Sequence, residues 1–262
     1  MKNKTGKPAA IPSAGKSAGR FSKYLIYAIG EIILVIIGIL LALQINNKNS
    51  ERIERKTFES NLQFVIEDLE QDRTELLRLK NERQRVWNKS GYMLQAVKEG
   101  KTLTTQEIYE NSEIMIWKAF EINTNGLERI LSSNIYESFE FQPVRKKIRV
   151  YQIVYQRIKN LEKKLNESVE EMEREMSKDG SILELYEYTN LLFISDELGD
   201  SVKSEIETYH IDFDKFIVNN PPMLSLFLRG KLTTKVIMDT YDYQMELGED
   251  LRLEIKSFLN KK

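Results

Sequence analysis

Glu31 is an ionisable residue inside an apolar run, YLIYAIGEIILVIIGILLALQI, Tyr24–Ile45. A carboxyl in hydrocarbon is costly unless it faces a partner or a cavity. On a helix, Glu31 shares a face with Tyr27, Leu34, Val35, Gly38, Ala42 and Ile45, because steps of 7 and 11 residues return within about 20° at ~3.6 residues per turn. Gly38-x-x-x-Ala42 is a pair of small residues that lets a second helix approach closely. The expected membrane helix-contact face is therefore Glu31, Leu34, Val35, Gly38 and Ala42. Two chemistries fit it: contact with a partner helix, or a protonatable site in an ion-coupled assembly. The plain alternative is a protonated or partly hydrated carboxyl with no role.

The other constellations are weaker. His210-Ile-Asp212-Phe-Asp214 alternates the single histidine with two aspartates. A zinc site needs three or four ligands with outer support, and the chain has no cysteine and no second histidine. The calcium-loop pattern lacks its glycine. This stretch reads as a polar connector beside a packed Phe213, and no metal or other cofactor is expected. A serine triad would have to use His210, and no G-x-S-x-G elbow is present. Ala10–Ser17 loosely echoes a phosphate-binding loop, but no strand precedes it and the apolar run follows closely. Glu170, Glu171 and Glu173 suit a solvated helix face. Tyr151, Tyr155, Tyr186, Tyr188, Tyr241 and Tyr243 fall in helical patterns and suit a core or an interface. No enzyme activity is expected, and no small-molecule substrate is identified.

What must position Glu31 is the run itself. Its 22 residues would form a helix about 33 Å long, matching the ~30 Å hydrocarbon core of a bilayer. It exceeds a signal-peptide apolar core, and no small-x-small cleavage site follows it, so an uncleaved transmembrane anchor is expected over residues 24–45. Residues 1–23 carry Lys2, Lys4, Lys7, Lys16, Arg20 and Lys23 and no acid. Gly, Pro, Ala and Ser fill this stretch, which predicts a disordered basic tail. Positive charge inside puts that tail in the cytoplasm and residues 46–262 outside. Lys48, Arg52, Arg55 and Lys56 beyond the span oppose the rule. With the six tail cations set aside, 33 basic and 40 acidic residues remain, a net charge of −7 that argues against nucleic acid.

Residues 46–262 carry long helical patterns. Phe58, Leu62, Val65, Leu69, Leu76, Leu79, Val86, Met93 and Val97 make a 4,3-spaced seam, interrupted by Asp72, Arg83 and Ser90. This predicts a helix over about 51–99, ending at Gly100, bent at Gly91 and free to continue from the span. Thr104-x-x-Glu107 has the form of a capping box and predicts a helix reaching about Phe120. Asn123–Gly126 reads as a turn and Leu127–Ser132 as a short helix. From Pro143 a second seam runs through Val144, Ile148, Tyr151, Tyr155, Ile158, Leu165, Val169, Met172 and Met176, with Glu162 its single polar break; Gly180 ends it. A helix over about 181–197, a mixed segment over 200–218, a break at Asn219–Pro222, a short helix Met223–Arg229 and a last helix over about 231–260 complete the chain. The expected fold is all-α: one N-terminal transmembrane helix, then an elongated antiparallel, coiled-coil-like bundle.

Lys23-Tyr24, Tyr27-Ala28-Ile29-Gly30-Glu31 and Ala42–Asn47 give the span a KY-x₂-YAIGE opening and an ALQINN exit. With these, Phe21–Asn47 resembles the signature of an uncharacterised bacterial family of single-span membrane proteins, a domain of unknown function. The likeness continues more weakly through Asn125-Gly126-Leu127, Leu131–Ser133, Val144–Ile158 and Asn219–Pro221. Lys48 stands where that family usually places a tryptophan, which exchanges an interfacial anchor for a cation. The resemblance implies a membrane-anchored, mostly helical protein and supplies no activity, cofactor or catalytic residue. The expected function is a membrane-anchored interaction or scaffold protein of the cell envelope, holding a helical surface at a set distance from the membrane and contacting envelope proteins or itself. The alternative is a single-span subunit of an ion-coupled complex using Glu31.

Overall fold

Helix α1 runs from Ala18 to Glu99 as one element of 82 residues. The structure, a computed structural model, describes residues 18–198 and 200–260. The tail expected to be disordered through residue 23 is helical from Ala18 onward, because extending a formed helix adds a hydrogen bond for each residue fixed. The phosphate-loop echo at Ala10–Ser17 lies outside the described residues. The chain divides into two units, Met1–Thr57 and Phe58–Lys262.

In the first unit, every described side chain from Tyr24 to Ser50 is exposed. The helix is long and apolar enough there to cross a membrane.

The second unit is built from the rest of α1 and seven further helices: α2 (Thr105–Asn111), α3 (Asn125–Leu131), α4 (Asn134–Glu137), α5 (Gln142–Asp179), α6 (Leu183–Leu198), α7 (Asp200–Thr208) and α8 (Pro221–Asn260). A 3₁₀ turn at Glu113–Met115 and a π-helical turn at Asp214–Val218 complete it. No described residue is in a strand. The punctuation works as the sequence predicts. Thr104 and Glu107 form both arms of a capping box, a proline opens α5, and Gly100 and Gly180 end their helices at φ of 65° and 75°.

The apolar seams meet in three successive clusters. In the first, Phe58, Leu62, Val65 and Leu69 of α1 pack with Val144 and Ile148 of α5 and Leu251, Ile255 and Phe258 of α8. The rings of Phe58, Phe141 and Phe258 meet edge to face, with centroids 4.9 to 6.2 Å apart. In the second, Leu76 and Leu79 meet Tyr155, Ile158, Leu165, Ile237 and Tyr241. In the third, Val86, Met93 and Ala96 meet Val169, Met172, Met176, Met223, Leu226 and Phe227. Residue numbers rise together along α1 and α5 and fall along α8. Helix α8 thus supplies the antiparallel packing the seams predict, whereas α1 and α5 run parallel.

Parallel neighbours require a return connection. Residues 100–141 make it, burying Leu103, Ile108 and Ile114 in the third cluster, Phe120 in the second, and Ile130 and Phe141 in the first. The helix expected to reach Phe120 therefore stops at Asn111. Ser112 donates its hydroxyl to the Ile108 carbonyl, and residues 116–124 cross the bundle without helix. Of the turn expected at Asn123–Gly126, Asn123 and Thr124 stay outside a helix and Asn125 and Gly126 begin α3.

The expected break between Arg229 and Lys231 is absent, since α8 is continuous from Pro221. Gly230 is there for space: a Cβ would fall 2.1 Å from Ile114 Cδ1 and 2.6 Å from Ser90 Oγ. Gly91 sits under Lys231, whose amine lies 2.9 Å from the centroid of the Trp87 ring.

Candidate functional site

The face predicted around Glu31 lies within α1, which carries Glu31, Leu34, Val35, Gly38 and Ala42 at helical spacing with every one exposed. Leu34 is 72% and Val35 54% exposed. A Cβ added at Gly38 or at Gly30 would meet nothing within 4 Å. The helix surface is bare at Gly38, which is the geometry a close helix contact requires.

A second set of residues is buried in the other unit, and it consists of the polar breaks in the seams. Asp72 and Arg83 of α1 and Glu162 of α5 are 1%, 2% and 2% exposed. Asp72 and Arg83 fall between the apolar clusters along α1 and Glu162 between Ile158 and Leu165 of the second, and they form two polar layers. In one, Asp72 Oδ1 accepts from the Asn123 amide at 2.9 Å and the Asn123 side chain at 2.8 Å. Its other oxygen accepts from the Tyr151 hydroxyl at 2.9 Å. Gln244 of α8 donates to the Tyr151 carbonyl. One turn back, Asp68 accepts from the Gly126 amide at 2.7 Å. A Cβ at Gly126 would fall 2.3 Å from the Val65 nitrogen, so α3 begins backbone against backbone on α1.

In the other layer, Glu162 accepts from the Phe120 amide at 2.9 Å and from the Tyr241 hydroxyl. Arg83 donates to the Lys118 carbonyl at 2.9 Å and stands 3.9 Å from Glu162. Asn166 donates to the same carbonyl at 3.0 Å. Burial pushes the hydroxyls of Tyr151 and Tyr241 far above the usual tyrosine range, so both remain donors.

These partners explain the return segment. A chain without helix or strand must find other partners for its backbone groups. Here the Lys118 carbonyl and the amides of Phe120, Asn123 and Gly126 bond to side chains of α1 and α5. The chemistry of the layers is recognition of this chain's own backbone. Sequence reading located Asp72, Arg83 and Glu162 as interruptions and missed their role. The available signal was polar residues at core positions of two seams.

His210, Asp212 and Asp214 are exposed around a buried Phe213, and Asp212 accepts from the amides of Asp214 and Lys215. Tyr151, Tyr155, Tyr188 and Tyr241 are buried, while Tyr186 and Tyr243 are exposed. Comparison with protein-family models, curated proteins and solved structures finds no match for this chain.

Asp72 has a measurable signature. Burial pushes its carboxyl above the usual range, against three donated hydrogen bonds, and nearby Asp68 adds to the rise. The folded chain therefore holds this proton more tightly than the unfolded one. The stability involved is complete below about pH 4 and is lost as pH rises through the folded pKa. Asp72→Asn removes that loss. The Tm difference between variant and parent is expected to move in the variant's favour from about pH 4 to about pH 7. A difference independent of pH would contradict the assignment.

Proposed function

We propose that this chain is a single-span anchor of the bacterial inner membrane, with a cytoplasmic N-terminus and a periplasmic, all-helical module that contacts other envelope proteins or a second copy. The observation that carries the reading is the exposure of every side chain of the almost wholly apolar run Tyr24–Ile45. Such a surface is stable in lipid and is a liability in water. The likeness of Phe21–Asn47 to a family of single-span proteins supports the same placement. A non-enzymatic role fits because the buried carboxylates Asp72 and Glu162 are already engaged by this chain's own backbone and tyrosines.

The contact face in the membrane is Glu31, Leu34, Val35, Gly38 and Ala42. Lipid offers Glu31 no hydrogen-bond partner, and a helix docked on the Gly38 side supplies one. Crosslinking through single cysteines placed along the span of the full chain in native membranes tests this. Crosslinks are expected to cluster on the Gly38 side. Gly38→Leu is expected to weaken association about tenfold, or ~1.4 kcal/mol, and Leu40→Ile to leave it unchanged. Equal crosslinking all round the helix, or none, would leave the span a solitary tether. The ion-coupled alternative rests on the same Glu31. It requires Glu31→Gln to abolish a proton- or sodium-dependent activity, whereas the contact reading expects Gln to be milder than Leu.

A further inference from the structure

In the Phe58–Lys262 unit, a cleft of about 540 Å³ opens beside α2, the following 3₁₀ turn and α6. Its apolar lining includes Tyr109, Met115, Ile116, Leu185, Tyr186 and Phe193. Ile116 is 58%, Tyr186 44% and Phe193 76% exposed. Large side chains left exposed together around one concavity mark an interaction site more often than a finished surface.

The rim decides what fits. Four charged residues line it: Lys89, Glu110, Glu113 and Glu173. Lys89 is 3.0 Å and Arg85 3.1 Å from Glu113, so the nearby cations are already committed to that one acid. Glu110 accepts a neutral hydrogen bond from Gln106. Burial and the nearby Glu173 carboxylate push the Tyr186 hydroxyl up to about 12. Neither carboxylate has an ion-pair partner among the described residues. The cleft therefore has a largely apolar lining that includes two carboxylates without an ion-pair partner among the described residues.

We propose that this cleft docks an amphipathic helix of a partner protein, with aliphatic or aromatic side chains on one face and lysine or arginine placed to meet Glu110 and Glu173. The proposal rests on the interaction-module reading and names its docking surface. The walls are helical and no described residue offers a strand edge, so strand addition is unavailable and a helix in a groove is the fitting mode. An anionic lipid surface would be repelled by the two acids. A second copy docking cleft to cleft would oppose the same acids to each other.

The test uses the full chain in nanodiscs of zwitterionic phosphatidylcholine. The probe is a fluorescent synthetic Leu/Lys amphipathic helix about four turns long, followed by anisotropy. A scrambled peptide of the same composition, a Leu/Glu helix and empty nanodiscs are the controls. Saturable binding of the Leu/Lys helix alone is expected. Glu110→Lys with Glu173→Lys should weaken it about tenfold or more, and Ile116→Ser with Phe193→Ser should do the same, both with unchanged Tm. Equal binding by either pair of variants, equal binding of the scrambled peptide, or no binding above empty discs would overturn the cleft assignment. If peptide binding fails while native crosslinks at the span persist, the cleft falls and the interaction-module reading stands; if both are absent, the cleft and the membrane contact face both fall and the span is a solitary tether.

Discussion

Replacing Glu162 with leucine is expected to destabilise the Phe58–Lys262 unit by about 3–5 kcal/mol, the usual cost of removing one member of a buried charge pair. Leucine fits the space but removes three interactions at once. The Phe120 amide and the Tyr241 hydroxyl lose their acceptor. Arg83, 2% exposed, loses the carboxylate 3.9 Å away while still donating to the Lys118 carbonyl. At about 2–4 °C per kcal/mol for a unit of this size, Tm should fall by about 6–20 °C. Adding Arg83→Met should recover part of the loss, because the orphaned charge goes with it. A change under about 1 kcal/mol in Glu162→Leu, read by denaturant or thermal unfolding, would mean the layer contributes little.

The second large effect concerns the return segment. Phe120 is fully buried between Leu76, Leu79, Tyr155 and Ile158, with its ring edge-on to Tyr155 at 6.0 Å. Phe120→Ala should cost about 3–5 kcal/mol through lost burial and the cavity left behind. Trp117, three residues earlier and 67% exposed, should tolerate alanine within about 0.5 kcal/mol. Hydrogen exchange separates packing loss from release of the segment. The amides of Phe120, Asn123 and Gly126 bond to Glu162, Asp72 and Asp68. They should exchange slowly in the parent and markedly faster in Phe120→Ala. Fast exchange already in the parent would show that these carboxylates do not hold the segment.

The sequence made the local features legible and hid the distant ones. The two seams, the capping box at Thr104, the proline at the start of α5 and the glycine stops are set by residues within a turn or two of each other, and each stands where the spacing puts it. The segment over 116–124 is different. Its partners lie far off in the chain: Arg83 is 35 residues from Lys118, Glu162 is 42 from Phe120, and Asp72 is 51 from Asn123. Local propensity favours a helix running to Phe120 and a turn at Asn123, and long-range hydrogen bonds override both. The break expected at Gly230 fails for a related reason, since that glycine serves close packing against Ile114 and Ser90. For the candidate site, the spacing of Glu31, Gly38 and Ala42 was legible as one face of a helix. In the proposed reading a second helix covers that face, and the residues of the face specify its close approach and not its sequence.

The central claim is that α1 anchors the chain in a membrane and leaves the helical module on the outer side. Protease added to intact spheroplasts expressing the full chain, with tags at both ends, tests it most directly. The account predicts that residues beyond about 51 are digested while the basic N-terminal tail is spared, because six cations and no acids precede the span. Full protection of the C-terminal region, with digestion only after lysis, would contradict it.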